Sequence, residues 1–256
     1  MPRHAEPAAA PPSKPVMAWY QEAFGADYLD LYAHRDEDEA KRTIDFVVTR
    51  LFAAAPPRAI LDLACGAGRH TAALGERCCR AIGIDLSVEL MARSPALKRA
   101  AGDMRRLPFG DATFDWVLNF FTSFGYFETE PENFHVLQEV VRVLEPGGHC
   151  LFDLMNLDAT LAHLREYELR EVGAQRVEIH RWWDPLQRRV NKRIRLGAPG
   201  REPRTFLESV RGYTRDEVTI GMRWAGLEVT ETFGSFAGEP YGERSERLIL
   251  VGRRVV

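Results

Sequence analysis

The sequence predicts an α/β chain: a doubly wound, mostly parallel seven-stranded sheet with an antiparallel β insert after the fifth strand. Three observations predict it. Short apolar runs alternate with helical periods between residues 59 and 155, as in a parallel sheet covered on both faces. From residue 165 the period switches to two, the mark of half-exposed strands. A helix and two closing strands then return the chain to the sheet.

Along the chain, residues 1–16 are rich in Pro and Ala without an apolar stretch and read as a disordered tail. Residues 17–57 form a helical segment, with Phe24, Tyr28, Leu31 and Tyr32 and then Ile44, Val47, Val48 and Leu51 at helical spacing; Pro56 and Pro57 stop it. The core, residues 58–164, begins with the strand Ala59–Leu63, the helix Arg69–Arg77, the strand Ala81–Asp85 and the helix Val88–Arg93. Strands at Leu97–Gly102 and Phe114–Phe120 follow. The helix Glu130–Leu144 carries a capping box, Thr129 with Glu132, and Pro131 in its first turn. Pro146-Gly147-Gly148 ends it, and His149–Leu154 is the fifth strand. Residues 165–212 form the insert, with strands at Gln175–Trp183, Arg189–Leu196 and Thr205–Tyr213. In residues 213–256 a second capping box, Thr214 with Glu217, opens a helix that Gly226 breaks. A hairpin of Glu228–Phe233 and Glu246–Gly252 closes the sheet.

A chain of 256 residues, 45% hydrophobic and 28% charged, is long enough to bury a core. Its longest apolar stretch, Trp116 to Phe121, falls far short of the roughly 20 residues of a spanning helix. The opening segment has no secretory h-region. Cys65, Cys78, Cys79 and Cys150 lack the paired spacing of a zinc site or disulfide framework, so no metal and a reducing, cytoplasmic setting are expected. The net charge of −3 does not advertise for nucleic acid. It is unevenly spread: residues 165–215 hold 13 Lys+Arg against 7 Asp+Glu.

In a sheet of this kind ligands bind outside the carboxyl ends of the strands, so the residues ending each strand carry the information. After the first strand comes Asp62-Leu63-Ala64-Cys65-Gly66-Ala67-Gly68, whose glycines let the backbone approach a ligand and turn into a helix. The dinucleotide fingerprint is not met, because Thr71 stands where its third glycine belongs. Asp62 would repel a pyrophosphate but suits an ammonium group. Asp85 ends the second strand about 20 residues on, where a carboxylate accepts both hydrogen bonds of a ribose diol. Asp103, in Gly102-Asp103-Met104, suits an exocyclic amine, and Leu86 and Met104 a flat ring between them. Amine, diol and aminopurine together describe S-adenosylmethionine better than NAD.

These blocks, with Leu107-Pro108-Phe109, Phe114-Asp115-Trp116-Val117 and Leu144-Glu145-Pro146-Gly147-Gly148, make the chain resemble a class I S-adenosylmethionine-dependent methyltransferase of the small-molecule branch. The resemblance covers residues 59–155 and implies a Rossmann-like core. Ala64-Cys65 departs from the broad family, which often has Gly first, though not from its small-molecule branches. The resemblance implies that Asp62, Ala64, Cys65, Gly66 and Gly68 hold the methionine end. It implies Asp85 on the ribose, Asp103 with Met104 on the adenine, and Asn119 and Phe120 beside the sulfonium. Arg35 resembles an arginine that grips the cofactor carboxylate from an N-terminal lid.

Each position also has a plainer reading. Gly66 and Gly68 make a tight turn, Asp103 caps one, Arg35 is a solvated charge in a mixed run, and Tyr28 and Tyr32 pack a core. No general base stands out; His70, Tyr28 and Tyr213 are the candidates, and Arg211 joins Tyr213 as a residue facing the crevice. Within the insert Arg189, Arg193 and Arg195 share a face with Asn191, either as a solvated surface or as a basic wall for an acidic acceptor. Phe121 to Tyr126 follow the fourth strand and border the acceptor. The expected partner is a small-molecule acceptor (O, N or C), with no membrane and a homodimer through the β insert as a further possibility. RNA methylation and a non-catalytic S-adenosylmethionine-binding regulator are the alternatives. Against the first, Asn119-Phe120-Phe121-Thr122 lacks the paired prolines of amino-methylating DNA enzymes.

Overall fold

Because the strands β1 (Ala59–Leu63), β4 (Phe114–Asn119) and β5 (Leu144–Met155) are apolar on both faces, they form the centre of a sheet that is covered twice. The computed structural model describes residues 18–23, 37–77, 80–94, 97–172, 175–197 and 202–255. In chain order these form helices α1 (Trp19–Ala23) and α2 (Glu37–Phe46), a π-helical turn (Val47–Leu51), β1 (Ala59–Leu63), α3 (Arg69–Arg77), β2 (Arg80–Asp85), α4 (Val88–Met91), β3 (Arg99–Ala101) and β4 (Phe114–Asn119). Then come α5 (Glu130–Val143), β5 (Leu144–Met155), α6 (Leu157–Ala162), β6 (Tyr167–Val172), β7 (Gln175–Asp184), β8 (Arg189–Gly197), β9 (Arg204–Arg211), α7 (Arg215–Ala225), β10 (Leu227–Phe233) and β11 (Arg247–Arg254).

The main sheet has seven strands in the order β10-β11-β5-β4-β1-β2-β3. The pairs from β5 to β3 are parallel, and β11 is antiparallel to both β5 and β10. Period-two alternation sends neighbouring side chains into two cores. Leu61, Leu63, Val117, Phe152 and Leu250 pack beneath α5 and α7 with Val136, Val140, Val218 and Met222. Ile60, Leu118, Leu151 and Ile249 pack on the other face with Ile44 and Val47 of the α2 region and Leu74 of α3. Both predicted capping boxes form, at Thr129 and Thr214, and Gly226 ends α7 in the left-handed conformation at φ +96°. Among the described residues no helix is long and apolar enough to cross a membrane.

A second, four-stranded antiparallel sheet runs β6-β7-β8-β9. Three corrections to the sequence reading arise here. The insert has a fourth strand, β6, whose alternating exposure and charged residues hid it at the sheet edge. A short helix, α6, precedes it. Pro146-Gly147-Gly148 does not separate helix from strand: α5 ends at Val143, and the three residues form an irregularity inside β5, where pairing shifts between Phe114/Leu144 and Trp116/His149. The insert leans on the main body through β9, against which α1 packs, and through Arg189 of β8.

Candidate active site

β1 and β4 lie side by side while their connections leave in opposite directions, and the crevice opens beyond their carboxyl ends. Backbone conformation makes its floor. Ala64 takes φ +62°, Gly66 +55° and Gly68 +84°, which turns the chain sharply from β1 into α3. Left-handed geometry costs little at glycine but strains alanine, so Ala64 marks a turn imposed by its surroundings. At Gly66 a Cβ would meet only Leu90, at 3.9 Å. At Gly68 it would lie 2.7 Å from Leu97 Cδ1, so that glycine permits close packing behind the turn.

Three carboxylates face this floor. Asp62 is 1% exposed and accepts from Thr71 Oγ1 at 2.6 Å. Burial, offset in part by that hydroxyl and reinforced by Asp85, raises it from 3.8 to about 7. Asp85 accepts from the Gly66 N–H at 2.7 Å and the Ser87 N–H at 2.8 Å; burial raises it against these bonds. Asp103 accepts from the Arg105 N–H at 2.8 Å and from the Arg105 guanidinium on both oxygens.

The crevice has an empty volume of about 1070 Å³, open solvent at its mouth included. Asp62, Ala64, Cys65, Gly66, Asp85, Leu86, Asp103, Met104 and Phe120 all line it, and so does His70. Its aromatic wall is Tyr20 of α1 with Phe121, Tyr126 and Phe127 from the loop after β4; the sequence points to Phe121 and Tyr126 but not to Tyr20 or Phe127. Tyr20 meets Phe127 edge-on at 5.4 Å, and Trp19 meets Tyr126 at 4.9 Å while donating from Nε1 to the Tyr126 carbonyl at 3.3 Å. His70 stacks on Phe120 at 4.4 Å. Phe121 and Thr122 are consecutive left-handed residues, φ +56° and +58°. Asp153 holds them, accepting the Phe121 N–H at its carboxylate and the Thr122 N–H at its carbonyl, each at 2.8 Å. Arg247 in turn grips both oxygens of Asp153.

Several expected residues stand elsewhere. Gly68 and Asn119 do not line the crevice; Asn119 is buried beneath it and donates to the Leu63 carbonyl at 2.9 Å. Tyr213, expected to face the crevice, is 5% exposed, packs on Phe124 and donates to Glu130 at 2.7 Å. Arg211 is likewise buried, ion-paired with Glu130 and Glu217. Arg189 is neither a solvated charge nor a basic wall. It is buried and donates to the carbonyls of Gly125, Tyr126 and Phe127 and to Ser209, because this end of the insert sheet is covered by the loop after β4. Much of the insert's remaining positive charge meets acids: Arg181 with Glu168, Arg188 with Glu217, Lys192 with Glu208, Arg195 with Glu178. Tyr28, Tyr32, Arg35, Cys78 and Cys79 lie outside the described residues. Among the described residues no three His, Cys, Asp or Glu side chains group so as to hold a metal ion.

Comparison with known proteins agrees with this arrangement. Residues 61–152 match the family described as "Methyltransferase domain". The cypemycin N-terminal methyltransferase of a Streptomyces species is 31% identical over 208 residues, covering 77% of this chain and 83% of that protein. Among solved structures, an S-adenosylmethionine-dependent methyltransferase from Clostridium acetobutylicum superposes with TM-score 0.77 at 16% identity, over 93% of this chain and 99% of that one. The sugar N-methyltransferase KedS8 from a Streptoalloteichus species superposes with TM-score 0.70 at 18% identity, over 99% and 100%. The glycine turn, the acidic ends of β1 and β2 and the sheet order are those of the class I S-adenosylmethionine-dependent methyltransferases, and the chain belongs to that family.

Proposed function

We propose that this protein transfers a methyl group from S-adenosylmethionine to a nitrogen, oxygen or carbon of a small-molecule acceptor that enters beneath the aromatic wall. The observation that carries the reading is the convergence of Asp62, Asp85 and Asp103 with Leu86 and Met104 in one crevice. The donor set fits the cofactor. A carboxylate as buried as Asp62 and raised to about 7 is completed by a cation, which the cofactor's α-ammonium is. Asp85, fixed by two backbone N–H groups, keeps acceptor capacity for a ribose diol. Asp103 takes the adenine amine, and Leu86 and Met104 flank the ring.

When bound, the cofactor supplies an electrophilic methyl on a sulfonium. The protein's own work is then alignment, with reacting atoms held at roughly 3–3.5 Å and in line. Tyr20, Phe121, Tyr126 and Phe127 exclude water and shape the acceptor space. His70 is assigned to accept a proton where the acceptor arrives protonated. Neither step calls for a metal. The names of two similar proteins, an N-terminal and a sugar N-methyltransferase, make amines the acceptors to screen first. Aromatic faces suit such cations. The ion pairing across the insert weakens the case for RNA as substrate.

The test is calorimetric titration with S-adenosylhomocysteine on the wild type and on Asp85→Ala, with NAD in parallel. Binding by the wild type that the substitution lowers more than tenfold is expected. NAD binding in preference to S-adenosylhomocysteine would sink the reading.

A further inference from the structure

Arg105 has a hydrogen-bonding pattern that the methyl-transfer reading does not use. Its guanidinium meets Asp103 through Nε, 3.1 Å from both oxygens, and through Nη2, 2.6 Å from Oδ2. Its backbone N–H adds a bond to Oδ1 at 2.8 Å. The other arm, Nη1, donates to Glu132 at 2.5 Å, and Glu132 is itself tied into the cap of α5. The guanidinium Cζ lies 4.2 Å from the centroid of the Phe127 ring, and Phe127 meets Tyr20 of α1 edge-on. One side chain thus joins the carboxylate at the end of the crevice to its aromatic wall and to the start of α5. Asp103 and Tyr20 line the crevice, whereas Arg105 does not.

We propose that Arg105 is a positioning residue that sets the base selectivity of the cofactor site. It does so by holding the Asp103 carboxylate in a single orientation. The proposal rests on the reading of Asp103 as the partner of the adenine amine. A carboxylate has about four acceptor positions. Three donors of Arg105 occupy it, the backbone N–H on Oδ1, Nη2 on Oδ2 and Nε shared between the two, which leaves about one position for a ligand. A group that only accepts there welcomes the 6-amino group of adenine and meets the 6-oxo group of hypoxanthine with repulsion. The planar fork is what fixes the carboxylate; a lysine ammonium, a rotating point charge, keeps the charge without the orientation.

The experiment compares S-adenosylhomocysteine with S-inosylhomocysteine by calorimetric titration of the wild type, Arg105→Lys, Arg105→Ala and Asp103→Ala. The wild type is expected to prefer the adenine compound by about tenfold to a hundredfold, the worth of a hydrogen bond to a charged group. Arg105→Lys and Arg105→Ala should bring that ratio close to the one of Asp103→Ala, and the Asp103→Ala/Arg105→Ala double variant should go no further. A ratio is insensitive to general loosening, and the lysine variant keeps the charge if the alanine variant folds poorly. Arg105 variants that weaken both compounds equally, with the wild-type ratio intact, would overturn the proposal and leave Arg105 a structural tie. A wild type that binds both compounds equally would overturn the adenine reading of Asp103 and the proposal with it. A wild type that binds neither would overturn the cofactor site itself.

Discussion

Replacing Arg189 by alanine tests whether the insert sheet organises the crevice. The side chain reaches from β8 to the loop after β4, donating at 2.9 Å to the Phe127 carbonyl, 3.1 Å to that of Tyr126 and 3.2 Å to that of Gly125. Its Nε donates to Ser209 Oγ at 2.8 Å. These partners are neutral oxygens, and burial pulls the guanidinium below the usual arginine value. Truncation strips three loop carbonyls of a charged donor. The carbonyls keep second donors, the Arg211 N–H at Gly125, Trp19 Nε1 at Tyr126 and Asn133 Nδ2 at Phe127, so none is orphaned. Each bond lost is worth about 1 kcal/mol net, and with the bonds to Ser209 the loss comes to about 3–4 kcal/mol. For a chain of this size that is about 10 °C in Tm. Tyr126 and Phe127 ride on the same loop, so affinity for S-adenosylhomocysteine should fall about tenfold, close to 1.4 kcal/mol.

The assay pairs thermal unfolding followed by circular dichroism with titration of S-adenosylhomocysteine, for Arg189→Ala and Arg189→Lys. Lysine has three donors on a flexible stem and should recover about half of the stability. If Arg189→Ala unfolds within about 1 kcal/mol of the wild type and binds equally well, the loop does not depend on the insert. The reasoning from its hydrogen bonds would then be refuted.

Two further substitutions probe the floor. Asp62 has a native value of about 7 against 3.8 when unfolded, so the native state holds the extra proton between those limits. Stability of the ligand-free protein therefore falls as pH rises from about 4 to about 7, by up to about 4 kcal/mol, and is flat above; Asp62→Asn should remove that slope. A bound ammonium favours the carboxylate, so S-adenosylhomocysteine should release close to one proton at pH 6, read from the dependence of binding enthalpy on buffer ionisation. Equal enthalpies in all buffers would contradict this. Gly83→Ala would set a Cβ 2.6 Å from Cys65 Sγ and 2.9 Å from Thr71 Oγ1, which holds Asp62. Overpacking should cost about 1–3 kcal/mol and weaken S-adenosylhomocysteine binding, with Cys65→Ala in the same chain restoring part of both. An alanine variant with wild-type affinity would show that this layer yields freely.

What could be read from the sequence was what local rules govern. Strands buried on both faces, such as Phe114–Asn119, are apolar runs whatever surrounds them, and Thr129 and Thr214 cap their helices through residues three positions away. The carboxylates of the crevice follow strand ends, which alternation locates. Arg189 was misread because period two assigns it to the polar face, and nothing local tells that another segment covers that end of the face. Tyr213 looked available for the same reason; its partner, Glu130, is 83 residues away. Tyr20 was missed because it precedes the periodic run that drew attention to Tyr28. Asn156 stands at the N-cap of α6 without capping it, since its Oδ1 accepts from the Tyr241 hydroxyl at 3.2 Å and its amide donates to the carbonyls of Gly242, Glu243 and Ser245.

The two halves of the crevice differ in how they are held. The floor is made by short-range structure: the turn from β1 into α3, an aspartate bonded to the backbone two residues on, another bonded to the arginine two residues on. The far wall is held from a distance. Phe121 and Thr122 sit in a left-handed conformation that costs about 1–3 kcal/mol for each such residue and persists only where surroundings over-determine it. Here they do: Asp153, on β5, takes both N–H groups, and Arg247, on β11, fixes Asp153 and covers the Phe121 ring at 5.5 Å. Arg69 lies 5.8 Å from the same ring. Phe121 is thereby pinned at the crevice by residues from two strands and a helix. The floor is therefore legible from one stretch of sequence, and the far wall, assembled from β5, β11 and α3, is not.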